Sequence, residues 1–404
     1  MLVIRFLVAL LVAYTLGKFF TRFKLPAILG WLIAGMLLGP YLLNLVSADM
    51  LNNPSTIFIS AVFETFAGVL IGIELIFEDL KKLGKNIAIM TLFQSIFTFL
   101  FVSMVFLIPL YFLNLPLYLS VVFGGIALAT APAPSIGIVN QFGAKGPVTN
   151  TLIPMAVLDD LVAGFMFFTT ISIIRSVLQG QGFQLLPILL MIFGPVIIGG
   201  ISGWLAGRLS KNKAKSIQIT LFILGMLISA LIGYFINHHM IEEPVLNHFM
   251  IGLASSGIYM NMINKEEADQ IAKKTNIAIT FALMFVIFNM GITLNWQSIF
   301  SAGLTTILYI LSRGFGKYFG CYLGAKMTNA NDNVRKYLGF TMLPHSGVSI
   351  FFTGISFGII APLNPEAGAV IQGTIAAAAV INEVIAVYLA KQGFKMAGEI
   401  AQDA

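Results

Sequence analysis

Asp159 and Asp160 stand side by side in LIPMAVLDDLVAG (residues 152–164), in the middle of a long apolar run. A carboxylate at the centre of a membrane helix is disfavoured by roughly 2.5–3.5 kcal/mol even on the mildest insertion scale. Such residues persist where they face a polar cavity, meet a partner, or carry an ion or a proton. An ion pair that locks helices together accounts for one buried Asp. It accounts less well for a doublet, because one basic partner does not neutralise two carboxylates. The chemistry to which the pair points is binding of a hard monovalent cation in exchange for a proton. Hard cations take oxygen ligands, and a proton and a cation compete for the same carboxyl oxygens.

The rest of the chain must hold these groups inside a bilayer. Of 404 residues, 58% are hydrophobic and only 10% charged, far from a soluble globular average. The single Cys321 excludes an intrachain disulfide framework and a multi-cysteine metal cluster. Apolar runs predict about thirteen spans, near 2–20, 26–45, 56–77, 86–110, 115–140, 148–173, 184–207, 216–236, 245–263, 275–292, 299–324, 335–360 and 366–390. With the N-terminus outside, the inner joints hold nineteen of the 23 Lys and Arg, from Lys18, Arg22 and Lys24 to Lys391 and Lys395. The outer joints hold only Arg175, and Arg5, Arg313 and Lys317 fall within spans. By the positive-inside rule this predicts a cytoplasmic C-terminus. The net charge of +6 thus reports topology, and nucleic acid is not an expected partner.

Two spans are interrupted. ATAPAPS (129–135) places two prolines within three residues, and LPHSG (343–347) interrupts the twelfth span. Proline removes a backbone donor and restrains the residue before it away from helix. An unwound crossing is expected at Ala131, Pro132, Ala133 and Pro134, and a second at Pro344, His345, Ser346 and Gly347. With the seventh span as a linker, the two interruptions occupy matching places in inverted six-span halves, which points to a transporter's midplane site. Two ordinary proline kinks would explain each helix but not their matched positions.

Candidate ligands for the cation are the carboxylates of Asp160 and Asp159, Thr130 Oγ1 and the carbonyls of the Thr130–Pro134 crossing. At helical rise, Arg313 lies roughly 21 Å into the eleventh span and the aspartates roughly 17–18 Å into the sixth from the other side. These depths meet near the bilayer centre, which makes Arg313 the expected partner of Asp159. Lys317 and Glu383 have matching depths in the inner half of the membrane and are expected to pair with each other. His345 is expected to pack as a hydrogen-bonded histidine, with proton relay or pH sensing as the alternative. Glu64 is expected at a dimer contact or a polar lipid-facing gap. His238, His239, Glu242 and Glu243 read as a solvated loop rather than a metal site. Gly314, Gly316 and Gly320 form a small-residue face for close helix packing.

At this point the chain resembles the monovalent cation/proton antiporter superfamily, in its bacterial sodium/proton and potassium-efflux branch. The likeness is carried by residues 25–40 (LPAILGWLIAGMLLGP), by 67–74 (AGVLIGIE) followed by Asp79 to Lys82, by the interrupted fifth span with Asp159 and Asp160 one span later, and by 313–320 (RGFGKYFG). The resemblance implies an all-α polytopic membrane protein in a cell (inner) membrane, with crossed discontinuous helices and separate core and dimerisation domains. In this chain the scaffold would be 1–85 and 211–298, the core 86–175 and 299–404, and the linker helix 176–210. It implies a homodimer that exchanges protons for Na⁺, Li⁺ or K⁺ by alternating access, with no cofactor beyond the transported ions. The Asp-Asp pair resembles the electrogenic members, whereas Arg313 resembles the electroneutral ones.

The alternatives make specific demands. A K⁺/H⁺ efflux system or channel-like carrier would differ in selectivity, and no filter-like glycine–tyrosine loop is present. An intramembrane aspartyl protease needs two Asp converging from different helices, whereas adjacent residues on one helix point about 100° apart. A solute symporter needs a larger polar pocket than these sparse polar side chains predict.

Overall fold

In the computed structural model all residues are described except 1, 23–26, 52, 74, 79–83, 179–184, 241–245, 295–301 and 402–404. The described residues form helices and no strand, with one isolated antiparallel bridge between Thr130 and His345. The chain divides into two compact units, Met1–Leu80 with Gln179–Thr293, and Lys81–Leu178 with Leu294–Ala404.

The first unit contains α1 (Leu2–Arg22), α2 (Ala27–Leu38), α3 (Pro54–Gly72), α8 (Leu185–Ser210), α9 (Lys215–Phe235), α10 (His248–Met260) and α11 (Lys265–Ile292). The α8 segment, expected to be a separate linker, packs here against α9 and α10. Helix starts follow local chemistry. Asn53 precedes Pro54 and accepts from Ser55 N, Asn247 accepts from Met250 N, and Asn264 forms a capping box with Glu267. Asn261 ties the end of α10 to the chain after α3, accepting from Phe77 N at 2.7 Å and donating to Leu75 O at 2.6 Å.

The second unit contains α4 (Gly84–Phe112), α5 (Tyr118–Ile126), α6 (Pro132–Phe142), α7 (Pro147–Leu178), α12 (Gly303–Met327), α13 (Asp332–Thr341), α14 (Gly347–Ile360) and α15 (Pro365–Met396). Among the described residues six helices (α3, α4, α7, α8, α9 and α11) are long and apolar enough to cross a membrane. There are seven if the two parts of α15, inclined by 44°, form one span.

Both expected interruptions exist, but each lies slightly earlier than the prolines and glycine suggested. Helix α5 stops at Ile126 and α6 begins at Pro132, so Pro132, Ala133 and Pro134 form the first turn of α6 rather than unwound chain. Proline fits there because a first-turn N–H has no intrahelical acceptor and its φ is already helical. In the second break Gly347 is likewise the first residue of α14, capped by Ser346 Oγ, which accepts from Val348 N at 3.1 Å. Ala131 and Ser346, the residues just ahead of each new helix, are extended. There the chains meet through the Thr130–His345 bridge and through Ala131 N, which donates to Pro344 O at 3.1 Å.

Helix α12 lies along α4 because three glycines four residues apart remove the side chains between them. A Cβ built on Gly316, Gly320 or Gly324 would sit 3.0, 2.7 or 2.9 Å from the Cα of Thr98, Gln94 or Met90. Gly314, expected on the same face, is not part of this contact, since its nearest neighbour would be Leu343 Cδ2 at 4.0 Å. Gly320→Ala is expected to force the two helices apart at about 1–3 kcal/mol and lower the unfolding temperature of the purified protein. Gly314→Ala is expected to leave that temperature unchanged or raise it slightly. Scanning fluorimetry in detergent checks both; identical curves for Gly320→Ala and the unmodified protein would contradict the contact.

Candidate functional site

The residues that sequence chemistry singled out converge in the second unit, around the bases of the two breaks. Asp159 is fully buried and Asp160 is 8% exposed, both on α7. Lys317 Nζ lies 2.9 Å from Asp159 Oδ2, and neither side chain reaches solvent. The same Oδ2 accepts from Thr130 Oγ1 at 2.6 Å, while Oδ1 accepts from Ser95 Oγ at 3.2 Å. With its amide turned to face these groups, Gln94 donates to Asp159 Oδ1 at 2.7 Å and accepts from Lys317 Nζ at 2.8 Å. Lys317 also donates to Thr130 Oγ1 at 2.7 Å and to the carbonyl of Leu128.

The expected partner of Asp159 is corrected by this geometry. Lys317, not Arg313, is the cation seated on Asp159, and the expected pairing of Lys317 with Glu383 falls on a side chain that is not described. The side chains of Pro132 and Ala133 also lie outside the described residues. Arg313 turns its guanidinium on the breaks instead. Its Nε donates to Ala127 O at 3.1 Å, Nη1 to Leu343 O at 2.6 Å, and Nη2 to Ala129 O at 2.9 Å and Pro344 O at 3.3 Å. The physical reason is shape as well as charge. A planar fork with five donors suits several converging carbonyls, and a compact ammonium suits one carboxylate. The last carbonyls of a helix also carry its negative dipole end and have no intrahelical partner. Arg313 thereby satisfies carbonyls that follow both α5 and α13.

His345 lies in the second break, 7% exposed, with Nε2 3.3 Å from Tyr309 Oη. Tyr309 is itself buried against Phe106 and Phe123. In the first unit Glu64 stands 4.0 Å from His248 Nδ1. Glu242 and Glu243 lie outside the described residues, and so do Glu74, Asp79, Lys81 and Lys82. Among the described residues no group of three His, Cys, Asp or Glu is placed to hold a metal ion.

Sequence reasoning missed Gln94 and Ser95. A signal was present. Thr91, Gln94, Ser95 and Thr98 are polar residues three and four apart inside the apolar α4, and all four are buried. That spacing places them on one face of a helix, the face against α12.

The family described as "Sodium/hydrogen exchanger, transmembrane" matches residues 6–391. The chain belongs to the sodium/hydrogen exchanger family. This exchanger is 27% identical over 313 residues to "Probable Na(+)/H(+) antiporter 3" of Methanocaldococcus jannaschii, covering 76% of this chain and 75% of the relative. It is 25% identical over 385 residues to "Na(+)/H(+) antiporter NhaS4" of Synechocystis sp., covering 87% and 88%. Among solved structures, the sodium proton antiporter MjNhaP1 of M. jannaschii at pH 8 matches with a TM-score of 0.72 and 17% identity, over 97% of each chain. That likeness establishes the fold. The exchanger is a multi-pass membrane transporter, a secondary active Na⁺/H⁺ antiporter.

The pairing on Asp159 is directly testable. Lys317→Met leaves a carboxylate buried without its cation, a change that typically costs about 3–5 kcal/mol. The unfolding temperature of the exchanger should fall sharply. Adding Asp159→Asn to Lys317→Met should recover much of that loss, because no uncompensated charge then remains. Losses that simply add across the double mutant would show that the two residues do not act as a pair.

Proposed function

We propose that Na⁺ and H⁺ compete for the carboxylate of Asp160, with Asp159 beside it engaged by Lys317. The observation that supports this most is the filling of Asp159. Its Oδ1 accepts from Ser95 and Gln94, and its Oδ2 accepts from Thr130 and Lys317. A carboxylate with that many donors already has its lone pairs engaged. Asp160 projects about 100° further round α7, and it is the less completely buried member of the pair. Thr130 Oγ1 and, when its own bonds exchange, Asp159 are the further oxygens available to a bound cation. Proton and cation then exclude one another at one site, which is the requirement for obligatory exchange.

The second unit is the ion-binding core in this reading and the first is the scaffold that forms a homodimer. The chain crosses the membrane thirteen times, each broken helix counted as one crossing, with an inverted relation between the two halves. The N-terminus is outside and the C-terminus cytoplasmic. Support comes from the Lys and Arg asymmetry and from the matched breaks. Helix α8 is taken with the scaffold. Na⁺ is the leading cation because both relatives are described as Na⁺/H⁺ antiporters, with Li⁺ and K⁺ as the alternatives.

Asp160→Asn is expected to reduce Na⁺-driven proton movement in proteoliposomes below about a tenth of the unmodified rate, while the protein remains folded, because an amide neither releases a proton nor supplies an anionic ligand. Retention of exchange above that level at any Na⁺ concentration or pH would remove Asp160 from the ion site. The same preparation, presented with Na⁺, Li⁺ and K⁺ in turn, ranks the cations.

A further inference from the structure

Helix α7 carries both aspartates, yet its own sequence provides no side chain to cap its start. Gly146 stands where a capping Ser, Thr, Asp or Asn would stand, and Pro147 opens the helix. The cap comes from the far end of the chain. Glu399 Oε1 accepts from Val148 N at 2.6 Å, and its Oε2 accepts from Thr149 N at 2.9 Å and Thr149 Oγ1 at 2.7 Å. Val148 and Thr149 carry the second and third amides of the helix, the two that a local N-cap side chain normally satisfies. The anion also sits at the positive end of the helix dipole.

Several features exist to bring this carboxylate there. After α15 the chain reverses at Gly398, whose φ of 72° is left-handed, a conformation open chiefly to glycine. Glu399 N then closes on Phe394 O at 3.0 Å. Asn333 Nδ2 holds Ala397 O at 3.0 Å, and Ile400 enters a core cluster with Val148, Leu152 and Phe394. At Gly146 a Cβ would collide with the Glu399 carboxylate, with Cδ at 2.5 Å and Cγ at 2.7 Å. Glu399 is 8% exposed. A surface tail with a chance contact would need none of these.

We propose that Glu399 is a positioning residue for exchange: the chain's end caps the helix that carries Asp159 and Asp160, and the register of those carboxylates depends on that cap. This rests on the reading of Asp160 as the ion ligand. Asp159 lies 11 residues beyond Val148, about 16 Å along the helix. Without the cap the first turn of α7 frays, the fraction of molecules with the aspartates in binding register falls, and apparent cation affinity falls by the same factor.

The test uses the full-length protein in proteoliposomes with Na⁺ as the varied ion. Glu399→Ala is expected to raise the apparent KM for Na⁺ by up to about fivefold, the equilibrium factor of one lost helix cap, with the maximal rate nearly unchanged. Glu399→Gln keeps one good acceptor and is expected to fall between, and it remains informative if Glu399→Ala is poorly produced. Gly146→Ser is expected to raise KM when made alone, because its Cβ meets Glu399. In combination with Glu399→Ala it is expected to restore KM, because the serine then caps α7 from within. That change of sign is not produced by loss of tail packing. A Glu399→Ala or Glu399→Gln protein with lower thermal stability but an unchanged KM would overturn the proposal, as would a double variant no better than Glu399→Ala. Asp160→Asn run in parallel separates the two readings, because its loss of exchange stands or falls independently of Glu399.

Discussion

A fully buried ammonium and carboxylate have both lost their water, and the attraction between them offsets that loss only if every remaining lone pair and proton is also satisfied. Lys317 and Asp159 meet that condition with neighbours from three directions. Gln94 and Ser95 come from α4, Thr130 and the Leu128 carbonyl come from the first break, and the carboxylate itself comes from α7. Much of the second unit serves this requirement. The glycines of α12 let α4 approach until Gln94 reaches both charges. The interruption after α5 presents a carbonyl and a hydroxyl where a continuous helix would have kept its carbonyls for itself.

The two cations on α12 are one helical turn apart and divide the work. Lys317 serves the carboxylate and Arg313 serves the backbone. Unwound chain is tolerated at membrane depth only where its polar groups find partners within the protein, and four carbonyls around the breaks find the same guanidinium. Converging carbonyl ends are a concentration of negative dipole, so Arg313 also supplies charge where the broken helices need it. Thr130 links the two arrangements. Its backbone bridges to His345 in the other break, and its hydroxyl bonds to both members of the ion pair.

Helix starts pose the same problem, and among the described helices two kinds of side-chain cap answer it. Where a polar residue precedes the helix, as at Asn53, Asn247, Ser346 and Asn364, the cap is local. At α7 the cap is contributed by a residue about 250 positions later, which ties the aspartate helix to the end of α15. The start of the aspartate helix thus depends on tertiary structure.

The helical class, the approximate position of the described helices and the burial of the two aspartates were legible in the sequence. A bilayer imposes long apolar runs, and breaks them only at groups that have a task. The location of both interruptions was legible to within a few residues, because proline restricts backbone conformation locally. The pairing of charges was not legible. Arg313 and Lys317 differ by one turn, about 6 Å of rise, and depth along a helix does not resolve which of them faces Asp159. The direction in which a side chain leaves its helix depends on how that helix is rotated against its neighbours. In this protein that rotation is set by glycine contacts between α12 and α4. Gln94, Ser95 and Glu399 stayed hidden for a related reason: each acts on a segment distant in sequence, and only the packed chain brings them together.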